Sequence, residues 1–474
     1  MIKLFKINFN KDIFIITIGN LIRIFLVIAY TRLMTYFLNY EELSKYYLIF
    51  SIYTFFSYII IGSIGLYINR KTLEWAEDKT LIDALISLFK KLLIPITLAA
   101  FLIVFLYTIV VYNSVNYSIV ICLLVGSLII FKTSNESIYP IFNLLNLNYQ
   151  YIRFLIIFNI LNLALSSVFV SFFDVKFQYW MLGLITSNFL IAIMSWRSLN
   201  IHLKKSKRSK KSNINYFEIF SFSSNIILGH TLIWFLTDGF RFIAEQKFNS
   251  YDLGILLLGL SLATQIFSIV DNILNQLLYP KYLDKISNSN FETRSEAFNS
   301  FLSKILPVVM STAIFVFLST NEVLKIIVDS SKLNKELIYI FKIGIGIEFL
   351  RILINILKQI TISEYKTSKI VFPYMLGVVL FLIGIFVIDN TLSDFPFLLF
   401  LSYSLITCLS LLSFNKIIKI TFNYQKLIKL KLTLMPVFIC LIFFNNTISF
   451  VLCGLFFSLV LYQFINKDFI NETN

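Results

Sequence analysis

Apolar runs separated by short polar turns fill almost the whole chain. About fourteen of them approach the ~20 residues that a helix needs to cross a hydrocarbon core. They cover 13–31, 46–68, 92–112, 117–142, 154–173, 179–196, 217–237, 251–276, 305–319, 337–359, 370–388, 395–414, 432–444 and 448–464. Asn445 and Asn446 divide the last two. Only a helix satisfies its own backbone in lipid over such a length without closing a barrel. The pattern therefore predicts an all-α polytopic membrane protein. No polar stretch is long enough to hold a separate soluble domain, and the longest predicted outer loop, 320–336, reads as a connector.

Charge placement orients the spans. Loops on one side, together with both ends of the chain, carry about 28 Lys and Arg, and the opposite loops about 8, the positive-inside asymmetry. The densest block is Arg197, Lys204, Lys205, Lys207, Arg208, Lys210 and Lys211; Lys416, Lys419, Lys426, Lys429 and Lys431 fall on the same side. Both termini are thus expected in the cytoplasm. Lys3, Lys6 and Lys11 precede the first run and Arg23 interrupts it, which reads as a membrane helix rather than a cleaved signal.

Composition narrows the classes. The 474 residues are 58% hydrophobic and 14% charged, against roughly 25% charged in soluble domains. The net charge of +15 sits in loops beside apolar spans, so it points to topology and lipid headgroups rather than nucleic acid. Cys122, Cys408, Cys440 and Cys453 all lie in apolar spans without a CxxC pair, and there are only two histidines, His202 and His230. A Cys/His metal site is not expected, and no motif for a bound cofactor, nucleophile or phosphate loop is present.

The basic segment 197–216 divides six spans from eight, and the halves show an ordered similarity. Leu38-Asn39-Tyr40-Glu41-Glu42-Leu43 follows the first span, and Phe248-Asn249-Ser250-Tyr251-Asp252-Leu253 the seventh. Gly19-Asn20-Leu21-Ile22 and Ser224-Asn225-Ile226-Ile227 match within those spans. Six is even, so orientation is kept, as in parallel repeats. The predicted organisation is an N-terminal lobe (1–196), a basic cytoplasmic linker (197–216), a C-terminal lobe (217–414), and two additional helices with a tail (415–474).

Lipid offers no partners to polar side chains, so polar stripes at helical spacing face protein or water. Three spans carry one: Lys132, Asn135, Glu136, Tyr139 and Asn143; Ser261, Gln265, Ser268, Asn272 and Gln276; and Gly344, Glu348, Arg351, Asn355 and Lys358. Helix-to-helix contact and cavity lining are both open for the neutral members. Lys132/Glu136 and Glu348/Arg351 are spaced to neutralise each other, and Asp238/Arg241 to form an interfacial bridge. Arg23 lacks a carboxylate at helical spacing. Either it meets an anionic ligand, which its planar fork suits, or it pairs across helices with Glu136 or Glu348. Asp271 and Lys342 lie near span ends, where snorkelling is available. His230 is mid-span, as a proton relay or a hydrogen-bonded core residue.

Tyr30-Thr31-Arg32, Gly65-Leu66-Tyr67-Ile68-Asn69-Arg70, Asp238-Gly239-Phe240-Arg241-Phe242 and Tyr251-Asp252-Leu253-Gly254 resemble polysaccharide-biosynthesis (Wzx-type) flippases of the multidrug/oligosaccharidyl-lipid/polysaccharide exporter superfamily. Asp238-Gly239-Phe240-Arg241 departs from the family's Asp-Arg pair by two inserted residues. The resemblance implies a non-enzymatic transporter in the bacterial cytoplasmic membrane. Its lobes would rock around a lumen to move an undecaprenyl-diphosphate-linked oligosaccharide unit across the bilayer. It implies that Arg23, Lys132, Arg351 and Lys342 hold the diphosphate or acidic sugars, with Gln265 and Asn272 along the route. Glu348, Glu136 or Asp271 would bind a coupling proton or sodium ion. The alternatives are a multidrug cation antiporter of the same superfamily, which would want a carboxylate-rich interior, and a membrane polysaccharide polymerase.

Overall fold

The computed structural model describes residues 9–145, 147–204, 216–286, 289–364, 366–387, 391–443 and 447–470. The basic residues Lys205, Lys207, Arg208, Lys210 and Lys211, and the Asn445-Asn446 break, lie outside them. Among the described residues all regular structure is helical, as backbone accounting in hydrocarbon demands.

The first helix is α1 (Phe9–Phe37). A continuous rod follows, made of α2 (Tyr40–Thr54), a π-helical stretch (Phe55–Ile61) and α3 (Gly62–Glu77). A second rod joins α4 (Leu81–Leu88), a π-helical turn (Phe89–Leu93) and α5 (Ile94–Tyr112). Then come α6 (Val115–Leu144), α7 (Asn148–Phe172) and α8 (Phe177–Lys204). A third rod comprises α9 (Tyr216–Trp234), a π-helical turn (Phe235–Gly239) and α10 (Phe240–Lys247). The remainder are α11 (Ser250–Ile286), α12 (Phe291–Leu318), α13 (Thr320–Ile327), α14 (Lys335–Ser363), α15 (Val371–Val387), α16 (Asp394–Asn415), α17 (Tyr424–Phe443) and α18 (Thr447–Ile470).

Over its described residues, every predicted span falls on one of these helices or rods to within a residue at either end. Among the described residues, ten segments are long and apolar enough to cross a membrane, so the chain is an all-α polytopic membrane protein. Helix α14 has 29 residues but carries Lys342, Glu348, Arg351 and Lys358 along its length.

Helix starts follow local chemistry. The Asn39 side chain accepts from the Glu42 N–H at 2.9 Å to cap α2, and Asn334 accepts from the Leu337 N–H at 2.7 Å to cap α14. Two elements differ from the sequence expectation. The third predicted span starts at residue 92, but its rod begins at Leu81 and runs through Lys90 and Lys91. Those two lysines lower local apolarity without breaking the backbone ladder. The loop 320–336 is not a bare connector either: α13 buries Val323, Leu324 and Ile327, which share one face at helical spacing.

The chain forms two compact units, Met1–Gly254 and Ile255–Asn474. In the first, α7 packs on α1 and α8, and α6 on α5 and α8, while α9 lies against the 55–61 stretch and α3. A Cβ at Gly183 would stand 2.3 Å from the Ser166 Cα and N, so α8 and α7 meet backbone to backbone there, the close approach that small residues allow in membranes. In the second unit α14 packs on α12 and α16, α15 on α16, and α17 on α12 and α18.

Candidate functional site

In the first unit the polar chemistry gathers around the π-helical stretch 55–61. The Gly62 N–H bonds the Ser57 carbonyl five residues back, a wide turn of the kind found at functional positions in helices. Tyr53 and Ser57 donate to one oxygen of Glu136, at 3.0 and 3.2 Å. Lys132 Nζ stands 3.7 Å from the other and lies over the rings of Phe50 and Tyr53, 4.2 and 4.5 Å from their centroids. The Glu136 side chain is 48% exposed and lines a cavity of about 150 Å³ with Ser57, Gly65, Asn69, Thr133 and Ser137.

A second cluster ties the third rod to the first. Arg241 pairs with Asp238 at 2.7 Å and donates to Ser51 Oγ at 2.9 Å and the Tyr47 carbonyl at 3.2 Å. Trp234 Nε1 donates to Thr54 Oγ1 at 3.2 Å. His230 Nδ1 lies 3.1 Å from Ser63 Oγ, and its ring sits tilted against that of Tyr58, centroids 4.6 Å apart. That buried histidine is a hydrogen-bonded core residue.

The stripe on α6 divides by function. Asn135 is buried and donates to the Asn188 carbonyl on α8 at 2.9 Å, which is helix-to-helix contact. Glu136, one position on, faces the cavity. Arg23 is half-buried and lies within electrostatic range of Tyr139. It does not form the cross-helix pair considered for it: among the described residues Arg23 has no ion pair or side-chain hydrogen bond. Glu136 is already held by Lys132, Tyr53 and Ser57.

In the second unit Arg351 pairs with Glu348 at 2.5 Å, and Thr264 on α11 donates to Glu348 at 2.7 Å. Glu348 is only 4% exposed, so the ion pair and the hydroxyl carry its charge. Gln265 and Asp271 are half-buried on α11 and both have partners, and Asn272 is exposed. The Gln276 side chain lies outside the described ones. Lys358 is half-buried and, among the described residues, has no ion pair or side-chain hydrogen bond. Lys342 stands apart, over the Phe317 ring at 5.3 Å.

No family model matches the sequence, and no curated protein matches it. Solved structures do. The chain is similar to the lipid II flippase MurJ in an inward closed conformation (TM-score 0.63, 14% identity, 98% of this chain and 99% of that one). It is similar to a eukaryotic MATE transporter (TM-score 0.60, 11% identity, 89% and 97%). A third match is an inward-facing multidrug-resistance MATE transporter of the MOP superfamily (TM-score 0.61, 12% identity, 85% and 97%). The fold is that of MurJ/MATE-like membrane transporters.

On this fold, sequence reasoning found the ion pairs within single helices but not the neutral partners that other helices supply. Tyr53, Ser57 and Ser51 carried no signal, because they lie 83, 79 and 190 residues from the side chains they contact. Thr264 was one residue off the stripe drawn through Ser261, Gln265 and Ser268. Yet Thr264 stands three residues from Ser261 and four from Ser268, on the same face of the helix.

Proposed function

We propose that this chain is a flippase that moves an undecaprenyl-diphosphate-linked oligosaccharide unit across the bacterial cytoplasmic membrane by alternating access. What supports this is the charge balance within the membrane helices. Glu136, Asp238 and Glu348 each have a cation within 4 Å, whereas among the described residues Arg23 and Lys358 have no ion pair or side-chain hydrogen bond. The surplus is cationic and suits a diphosphate. Each charge-assisted contact to it is worth ~1.5–3 kcal/mol, about tenfold or more in affinity. Arg23 in the first unit and Lys358 in the second are each assigned as an anion contact within their own unit, Lys132 and Arg351 are held in reserve by their carboxylates, and Glu136 takes the coupling ion.

One observation favours a second reading. Glu136 is half-exposed on a polar cavity, which a cation antiporter would use. Deleting the gene in its own organism and profiling lipid-linked intermediates in each leaflet separates the two. Loss of surface polymer with units accumulating in the cytoplasmic leaflet is the expected result, and Arg23→Gln/Lys358→Gln should fail to restore export. Normal polymer with altered cation tolerance overturns the flippase reading, as does full rescue by the double variant.

A further inference from the structure

A second feature lies in the Ile255–Asn474 unit, away from the Glu348–Arg351 pair. Helices α12, α14 and α16 line a groove of about 560 Å³, within the range of small-molecule sites and room for part of a hydrocarbon chain. It lies where α12 ends and where α14 and α16 begin, hence at one face of the bundle. Its walls are Ala313, Phe317, Phe349 and Phe400, among other apolar side chains, with Tyr339 at its edge. Among the described residues, Lys342 is the single charged one that lines it.

Two details make this a built feature. A Cβ on Gly346 would stand 2.9 Å from the Phe400 ring, so the glycine seats that ring against α14 and keeps the groove open. Lys342 has no ion pair or side-chain hydrogen bond among the described residues and rests over Phe317. Its Cα lies seven residues, about 10 Å, inside the start of α14. Side chains on a helix tilt toward its N-terminus, which carries the ammonium back toward headgroup depth. An apolar slot between membrane helices, with one cation toward the end where α14 begins, has the charge and polarity profile that complements an anionic lipid.

We propose that this groove is a binding site for a phosphate-headed anionic membrane lipid, with one hydrocarbon chain against Phe317, Phe349 and Phe400 and the phosphate on Lys342. This holds whether or not the chain moves a glycan lipid. The site would couple the second unit to the anionic content of the bilayer.

The test uses full-length protein in detergent and phosphatidylglycerol with a photoactivatable chain, with labelled peptides mapped. Competitors are unlabelled phosphatidylglycerol, phosphatidylcholine of the same chains, and inorganic phosphate. Labelling should fall within 313–349 and 397–400. Phosphatidylglycerol should compete at least tenfold better than phosphatidylcholine, and inorganic phosphate should not compete. Lys342→Met should erase that tenfold preference and Lys342→Arg should keep it. Ala313→Phe, which fills the slot, should abolish labelling while the thermal transition is retained. Equal competition by phosphatidylcholine means ordinary boundary lipid and overturns the proposal. So does displacement by inorganic phosphate alone, an unchanged preference in Lys342→Met, or undiminished labelling in folded Ala313→Phe.

Discussion

The Asp238–Arg241 pair sets a quantitative test of how the third rod is held in the first unit. The Arg241 side chain is 11% exposed and that of Asp238 19%, so water screens the pair little. Arg241→Met leaves Asp238 without its counter-ion and strips a donor from Ser51 and from the Tyr47 carbonyl. Breaking a buried pair from one side costs about 3–5 kcal/mol. Asp238→Asn leaves Arg241 two acceptors and the nearby Tyr47 ring, 5.8 Å away, and its expected loss is about 1.5 kcal/mol. Arg241→Met/Asp238→Asn leaves no charge at the pair, so the double variant should be more stable than the sum of the single effects predicts by ~2 kcal/mol, within the range for groups in direct contact. That coupling is about thirtyfold in the unfolding equilibrium. Equilibrium unfolding in mixed detergent micelles, read by tryptophan emission, measures it, and Trp234 beside Thr54 is a local reporter. Additive losses in the double variant, or an Arg241→Met loss under ~0.5 kcal/mol, a level typical of neutral surface changes, would show that the guanidinium is not buried and paired as described.

Two further substitutions separate packing from polar contacts. Gly183→Ala must push α8 from α7 by about an ångström and disturb the Ser166 hydroxyl, which donates to the Trp180 carbonyl at 3.1 Å. A loss of ~1–3 kcal/mol is expected, whereas Gly229→Ala, with nothing within 4 Å of its Cβ, should be neutral or gain up to ~1 kcal/mol; the reverse order in the same unfolding assay refutes the helix contact. Arg294 grips Glu364 with two bonds, at 2.6 and 3.2 Å, across from α12 to the end of α14. Glu364→Gln should lower stability by ~1–3 kcal/mol at both low and high salt, and a loss confined to low salt would mark the bridge as solvated.

The polar residues show how far pattern reading reaches. Pairs within one helix were legible, because an offset of three or four residues is itself the geometry: Lys132 with Glu136, Asp238 with Arg241, Glu348 with Arg351. The stripes were legible as faces but not as neighbours. Asn135 and Glu136 are adjacent in the chain, yet one bonds α8 and the other opens on a cavity. The wide turns at 55–61 and 235–239 have no compositional mark. They rotate the residues after them relative to a regular helix, and so re-aim the side chains that tie the first and third rods together.

The sequence by itself determined the class of molecule and the position of nearly every helix. In hydrocarbon a segment's backbone must satisfy itself, so apolarity over about 20 residues dictates a helix whatever surrounds it. Tertiary structure alone decided the rest: that α9 and α10 pack within the Met1–Gly254 unit, that Arg23 and Lys358 have no ion pair among the described residues while Glu136, Asp238 and Glu348 do, and that Lys342 borders an apolar groove. Those outcomes depend on which faces meet. Faces are set by contacts between helices far apart in the chain, by single glycines at crossings, and by the register of a π-helical turn, none of which leaves a periodic trace in the sequence.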